Sequence, residues 1–155
     1  MARRASEVDY RETNRGVIAA FRAGDQIPGM HRERLLLLTT TGRRTGRAHT
    51  TPMMFHREAD RLFVIASNVG AALDPEWCRN LRADPAVTIE VGDRAHGEAA
   101  EEGSPPYAAT ATVLEGADRE TVWAQIVQLY PFFANHQAGT MREIPVVELR
   151  REKGS

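Results

Sequence analysis

With 155 residues, the chain is long enough for one domain with one core and too short for two of ordinary size. A composition of 42% hydrophobic and 26% charged residues is that of a globular protein and argues against a disordered or fibrous chain. A formal net charge of −1 rules out the broad basic field that nucleic-acid binding needs, so no nucleic-acid partner is expected and any anion site must be local.

In chain order, Ser6 to Phe21 reads as a helix, with Ser6 as cap, Asp9 three residues on, and Val8, Val17, Ile18 and Phe21 as an imperfect stripe. Gln26-Ile27-Pro28-Gly29 ends it. Arg34 to Thr41 (RLLLLTTT) is a continuous apolar and β-branched run, which suits a strand covered on both faces. After the loop Gly42 to Arg47, a strand from His49 to His56 turns at Glu58-Ala59-Asp60-Arg61 into Leu62 to Ser67 (LFVIAS), placing the Ser67 hydroxyl at a barrel rim. Asp74 as N-cap and Pro75 at the first helical position start a two-turn helix with Trp77 and Leu81 on one face, ending before Asp84-Pro85.

Val87 to Val91 and Tyr107 to Leu114 alternate as strands, separated by a connection in which Arg94 to Pro106 (RAHGEAAEEGSPP) reads as an insertion. Asp118 to Leu129 is the clearest helix, with Val122, Trp123, Ile126, Val127 and Leu129 as a broad stripe interrupted at Pro131. Ile144 to Leu149 is a last strand, and Pro145 points to an edge at its beginning. About six mostly antiparallel strands with two to three flanking helices make an α+β fold. The expected division is an N-terminal helix and linker over 1–30, a barrel over 31–150 and a tail over 151–155.

Three segments can carry chemistry. Thr41-Gly42-Arg43-Arg44-Thr45-Gly46-Arg47 sets three guanidiniums between two glycines, which suits a polyanion because arginine forks match phosphate and carboxylate in pairs. It is not a phosphate-binding P-loop, since the glycine spacing is too short and no Lys-Ser/Thr follows, and it reads equally as a solvated hairpin turn. Ala66-Ser67-Asn68-Val69-Gly70-Ala71 either offers backbone N–H groups to a planar ring or is a plain connecting loop. Tyr130, Phe133 and His136 recur every three residues where a helix is broken, as one wall of a pocket or as a plug at the barrel's mouth, with His136 a proton donor or a hydrogen-bonded bystander.

Trp77, Leu81 and Cys78 read as core. The histidines show no zinc-binding spacing and have no cysteine cluster to join, so no metal is expected, and no G-x-S-x-G elbow supports hydrolysis. The single Cys78 cannot form an internal disulfide, and Met1 to Phe21 carries charges throughout instead of an apolar signal core, which fits a reducing cytoplasm. No run approaches the roughly 18 apolar residues that span a bilayer, so membrane contact is expected only peripherally, through the N-terminal helix.

Taken in order, LLLLTTTGRRTGRAHTTPM, VIASNVGAALDPEWCRNLRADPAVTIEV and YPFFANHQAGTMREIPVVEL resemble the deazaflavin-dependent nitroreductase family of split β-barrel oxidoreductases, over nearly everything from Arg34 to Leu149. The resemblance implies a cytoplasmic, actinobacterial-type reductase, monomeric or homodimeric, that uses coenzyme F-420, a deazaflavin with an acidic tail. Its hydride would go to a small organic acceptor: a quinone, an enone or a nitroaromatic compound. Non-catalytic carriage of an anionic cofactor and use of FMN on the same barrel are the competing readings.

The likeness further implies that Arg43, Arg44 and Arg47 hold the tail, with Thr41, Gly42 and Thr45 as hydroxyl and backbone donors, and that Pro52 and Met54 lie against the ring system. Ala66, Ser67, Asn68 and Gly70 would contact the deazaflavin head, with Trp77 flanking the cavity. Tyr130, Phe133 and His136 would form the substrate pocket, and Ser67, Tyr130 and His136 the catalytic set. The chain has Asn68 where relatives often carry lysine or arginine, and Phe133 and His136 where they carry tyrosine, which bears on nitro-compound reduction more than on cofactor binding.

Overall fold

A computed structural model describes residues 5–25, 27, 34–91 and 106–152. Helix α1 (Ala5–Ala23) is followed by strands β1 (Leu35–Thr41), β2 (Ala48–Met54), β3 (His56–Glu58) and β4 (Arg61–Ile65), then helix α2 (Glu76–Ala83) and strands β5 (Ala86–Val91) and β6 (Tyr107–Val113). Helices α3 (Gly116–Leu129) and α4 (Phe132–Ala138) precede the last strand, β7 (Val146–Arg151). The strands form one antiparallel sheet in the order β2-β1-β5-β6-β7-β4-β3.

The two outermost strands of that order, β2 and β3, are consecutive in sequence and separated only by Phe55. The Phe55 N–H still donates to the Arg34 carbonyl beyond β1, whereas His56 already pairs with Phe63 on β4. One bent strand therefore reaches both edges of the sheet, and the sheet curls into a split β-barrel, as expected. Seven strands stand where about six were anticipated, because the continuous His49 to His56 strand breaks at that corner.

Alternation along the strands sorts the apolar residues between two faces. Leu36, Leu38, Leu62, Val64, Val87, Ile89, Ala109, Ala111, Val147 and Leu149 fill the interior together with Leu81 of α2, and Trp77 packs against them. On the outer face Leu35 and Leu37 are covered by Val17 and Phe21 of α1, while Phe63 and Val146 are covered by Val122, Ile126 and Phe133 of α3 and α4. The leucine run of β1 is thus buried on both faces, as its uninterrupted pattern implied.

Several local readings differ. Asp74 does not cap α2: Pro75 is extended (φ −67°, ψ 159°) without a side-chain cap, and the Asp74 carboxylate is taken by Arg142 at 2.7 Å and Arg82 at 3.5 Å. The α3 stripe stops at Val127; Leu129 ends the helix 59% exposed. Pro131 interrupts the helix as expected, and a further helix, α4, starts directly after it. The strand containing Val146 is internal, between β6 and β4; Pro145 precedes the ladder, so its missing N–H costs no strand hydrogen bond while its carbonyl accepts from Ala66. Ser6 and Asp9 fall within α1, whose described side chains begin at Asn14; the Gln26-Ile27-Pro28-Gly29 stop apart from the buried Ile27, and the insertion up to Ser104-Pro105, lie outside the described residues.

Charge pairs pin the layers. Arg22 of α1 forks onto Glu90 of β5 (3.0 and 2.8 Å), and Arg61 of β4 forks onto the buried Glu148 of β7 (3.1 and 3.0 Å). The hydrogen bonds from Arg61 hold the Glu148 carboxyl below its ordinary range, against the opposing effect of burial. A carboxyl depressed in the folded state contributes stability above its unfolded value and loses it as pH falls through its folded value. Denaturant midpoints measured against pH should therefore decline on the acid side in the wild type, and the part of that decline due to Glu148 should vanish in E148Q.

Candidate active site

The β1–β2 hairpin carries the first segment. Gly42 and Gly46 close it: the Gly42 N–H donates to the Arg47 carbonyl (2.7 Å) and the Gly46 N–H to the Gly42 carbonyl (2.8 Å), with Gly46 at φ +75°. Gly42 is buried beneath His49, and a Cβ there would stand 2.7 Å from His49 Nε2. Thr45 Oγ1 accepts from the Arg47 N–H (3.1 Å), and Thr41 ends β1 opposite Ala48.

The three arginines have different fates. Arg43 turns inward onto α2: its Nη1 donates to Glu76 Oε1 (2.7 Å) and Asn80 Oδ1 (2.8 Å), and Asn80 passes the contact on to Thr40 Oγ1 (3.3 Å). The same guanidinium holds the Glu76 carboxyl below the usual carboxylate range. Arg43 Nη2 is buried without a hydrogen-bond partner. Arg44 and Arg47 are exposed and have no carboxylate partner among the described residues.

Pro52 and Met54 pair with Leu37 and Leu35, so they share the outer face that α1 covers, half-buried. Trp77 is half-buried against the interior cluster, so the core reading of Trp77 and Leu81 matches the packing.

The second segment leaves β4 and turns sharply. Asn68 (φ 48°), Val69 (φ 54°) and Gly70 (φ 81°) occupy the left-handed region in succession, a costly conformation for a β-branched valine. The Gly70 N–H donates to the Ser67 carbonyl (2.8 Å), and Asn68 Nδ2 donates to the Leu73 carbonyl (3.0 Å). Ala66 and Ser67 are buried and Asn68 is exposed.

The third segment meets the second. His136 of α4 places Nδ1 3.1 Å from Ser67 Oγ, and Gly70 packs so tightly on α4 that a Cβ would lie 2.8 Å from the His136 carbonyl oxygen. The Phe132 and Phe133 rings stand edge-on to His136, each with its centroid 5.8 Å away. Ser67, Gly70, Phe133 and His136, assigned to one site from separate stretches of sequence, are therefore neighbours. The Tyr130 hydroxyl points elsewhere, toward His56 Nδ1 at 3.5 Å, with the two rings edge-on.

Two residues escaped the sequence reading. His56 is buried between Phe63 and Tyr130, its Nε2 has no hydrogen-bond partner, and Glu58 lies 3.8 Å away; burial pushes its imidazole below the ordinary value. It lay hidden as the last residue of the strand read over His49 to His56. Arg142 reaches back to the loop after β4 and bonds the carbonyls of Ala66 (3.2 Å), Ser67 (2.7 Å) and Ala71 (2.9 Å) as well as Asp74. Its only sequence signal was a lone arginine between a broken helix and a strand.

The comparisons now decide the family. The model of the F-420H(2)-dependent quinone reductase family matches residues 7–150. The chain belongs to that family. It is 35% identical over 150 residues to an F-420H(2)-dependent quinone reductase of Mycobacterium tuberculosis, covering 96% of this chain and 89% of that protein.

Among solved structures it is similar to one described as an F-420-H2 dependent reductase, with TM-score 0.62 and 32% identity over 79% of this chain and all of the other. Another, described as a domain-swapped dimer, gives TM-score 0.65 and 29% identity over 94% of this chain and 98% of that one. The protein is accordingly an F-420H2-dependent reductase with coenzyme F-420 as cofactor. The donor chemistry fits the group: two exposed guanidiniums outside any ion pair among the described residues, and an orphaned buried Arg43 Nη2, suit a polyanionic tail.

Since Gly70 combines a left-handed φ with direct backbone contact to α4, Gly70→Ala should strain the turn and push α4 away from Ser67. We expect a loss of about 1–3 kcal/mol in denaturant unfolding, together with reduced turnover.

Proposed function

We propose that the protein moves a hydride from reduced coenzyme F-420 to a quinone, with His136 and Ser67 delivering the proton that completes the reduction. The hydrogen bond between His136 Nδ1 and Ser67 Oγ, at the end of a core strand and flanked by aromatic rings, carries the reading. The quinone is favoured over an enone or a nitroaromatic acceptor by the name of the family and of its mycobacterial relative.

Coenzyme F-420, when bound, supplies a hydride carrier at C5, so the protein is asked for position and protons and not for a nucleophile. Arg44 and Arg47 would hold the acidic tail, with the free Nη2 of Arg43 as a further donor and Thr41 and Thr45 as the surrounding hydroxyls, while Gly42 spends its N–H on the Arg47 carbonyl and shapes the turn. Ala66, Ser67, Asn68 and Gly70 are assigned to the ring, with Trp77 flanking the cavity from the interior side; Pro52 and Met54, on the outer face beneath α1, are not given that role. Phe133 gives the acceptor a flat apolar wall.

Ser67 engages Nδ1 and so biases which ring nitrogen of His136 carries the proton. His136 is half-buried, near enough to solvent to be reprotonated after each turnover. Adding the hydride to a quinone gives the hydroquinone anion, and one such proton completes the hydroquinone. Tyr130, whose hydroxyl is directed at His56, lines the same aromatic cluster and takes part as a wall.

Purified protein mixed with reduced coenzyme F-420 and menadione should oxidise the cofactor catalytically; stoichiometric oxidation or none would instead indicate a carrier. His136→Phe should keep the aromatic packing and lower kcat by roughly 100-fold, the low end of what general-acid catalysis contributes. Wild-type turnover in that variant would remove His136 from the proton path. In fluorescence titrations, replacing Arg44 and Arg47 together by alanine should weaken binding by about tenfold or more, and the loss should grow with the number of glutamates in the tail. Equal affinity would overturn the tail assignment.

A further inference from the structure

Arg142 closes a circuit that contains the proposed proton donor. Its guanidinium makes four hydrogen bonds: Nε to the Ala71 carbonyl (2.9 Å), Nη1 to the Ala66 carbonyl (3.2 Å) and Asp74 Oδ1 (2.7 Å), and Nη2 to the Ser67 carbonyl (2.7 Å). Its own carbonyl accepts from Gln137 Nε2 (2.7 Å), and Gln137 Oε1 accepts the Ile144 N–H (2.9 Å). Gln137 adjoins His136 on α4, and His136 bonds the Ser67 hydroxyl. Arg142, Ser67, His136 and Gln137 thus form a closed ring of contacts, with Ser67 gripped at its carbonyl by Arg142 and at its hydroxyl by His136.

We propose that Arg142 is a positioning residue for the reduction: it fixes the strand-end loop so that Ser67 meets His136 Nδ1 in the orientation proton delivery requires. The proposal rests on the reading of Ser67 and His136 given above.

Its physical basis is the shape of the donor. Ala66 and Ser67 are buried where β4 has ended, so the sheet no longer pairs their carbonyls; the Ser67 carbonyl keeps the Gly70 N–H beside Arg142, whereas the Ala66 carbonyl depends on Arg142, and a buried carbonyl without a partner costs about 1–3 kcal/mol. A planar fork with five N–H donors can serve three carbonyls and a carboxylate at once; a lysine ammonium, with three donors on a flexible stem, cannot hold the same set in one geometry. Asp74 compensates the charge, and its second arginine, Arg82, ties the arrangement to the last turn of α2. The guanidinium side chain is only 15% exposed, so the contact is shielded from solvent.

The other arginine that binds a carbonyl in this region, Arg119, donates to Ile144 and stacks on Trp123, touching no residue of the loop. Among the described residues, Arg142 is the arginine that ties the Ser67 carbonyl to α4, through Gln137.

The test compares wild type, Arg142→Lys and Arg142→Ala, with Ser67→Ala as reference and thermal melting as the check that each is folded. In cofactor-free protein, 15N NMR of the His136 imidazole should report a single tautomer set by Ser67 in the wild type, and a mixture in R142K resembling that of S67A. With reduced coenzyme F-420 and menadione, R142K should lose about tenfold or more in kcat, and added methylguanidinium should restore both the His136 signal and part of the turnover in R142A. If R142A does not fold, R142K alone decides. A folded R142K with the wild-type His136 spectrum overturns the proposal, whatever its turnover. The expected spectral change in a protein whose wild type reduces no menadione would uphold the positioning while removing the proposed reaction.

Discussion

The corner at Phe55 governs the architecture, because a seven-stranded antiparallel sheet would otherwise leave two unpaired edges. Here one stretch of chain serves β1 up to the Phe55 N–H and β4 from His56 onward. That single bend brings β2 and β3 to opposite sides of the same opening, curls the sheet around an apolar interior and leaves α2 to supply Leu81 to its filling. The connections that carry chemistry, the β1–β2 hairpin and the turn after β4, are both tied to α2 or to the residues leading into it. The geometry of the proposed site is in this sense inherited from closure of the sheet.

Arginine does two kinds of work in this nearly neutral protein. Arg22, Arg43, Arg61, Arg119 and Arg142 are spent on carboxylates, an amide oxygen or carbonyls that bind one layer to another. Arg44 and Arg47 are left projecting from a hairpin whose backbone closes on itself. A sequence motif counts three guanidiniums as equivalent, whereas the fold assigns one of them chiefly to its own scaffold. The inward turn of Arg43 also explains how two like charges beside it can be tolerated, since Glu76 stands on the facing helix.

Much of the architecture was legible in the chain. The uninterrupted Leu35 to Leu38 run announced a strand buried on both faces, and the alternation in β4 and β6 matched inward and outward positions residue by residue. What failed to show was anything decided by tertiary partners. Asp74 had the chemistry of a cap, but distant arginines compete for it; Pro145 looked like an edge signal, yet it lies one residue outside an internal ladder. The meeting of Ser67 with His136 was suggested by resemblance, not by spacing, because 69 positions separate them. Arg142 and His56 gave no pattern to read, since each matters through carbonyls or rings that only folding brings near.

The lone thiol illustrates what this packing does for an enzyme of electrophilic acceptors. Cys78 sits on the inner side of α2, fully buried, and burial pushes it up to about 11. Quinones are Michael acceptors that arylate cysteine through its thiolate, and a protonated sulfur sealed from solvent offers almost none of that form at neutral pH. The same helix that completes the hydrophobic interior thereby spares the protein from covalent inactivation by the molecules it is proposed to reduce.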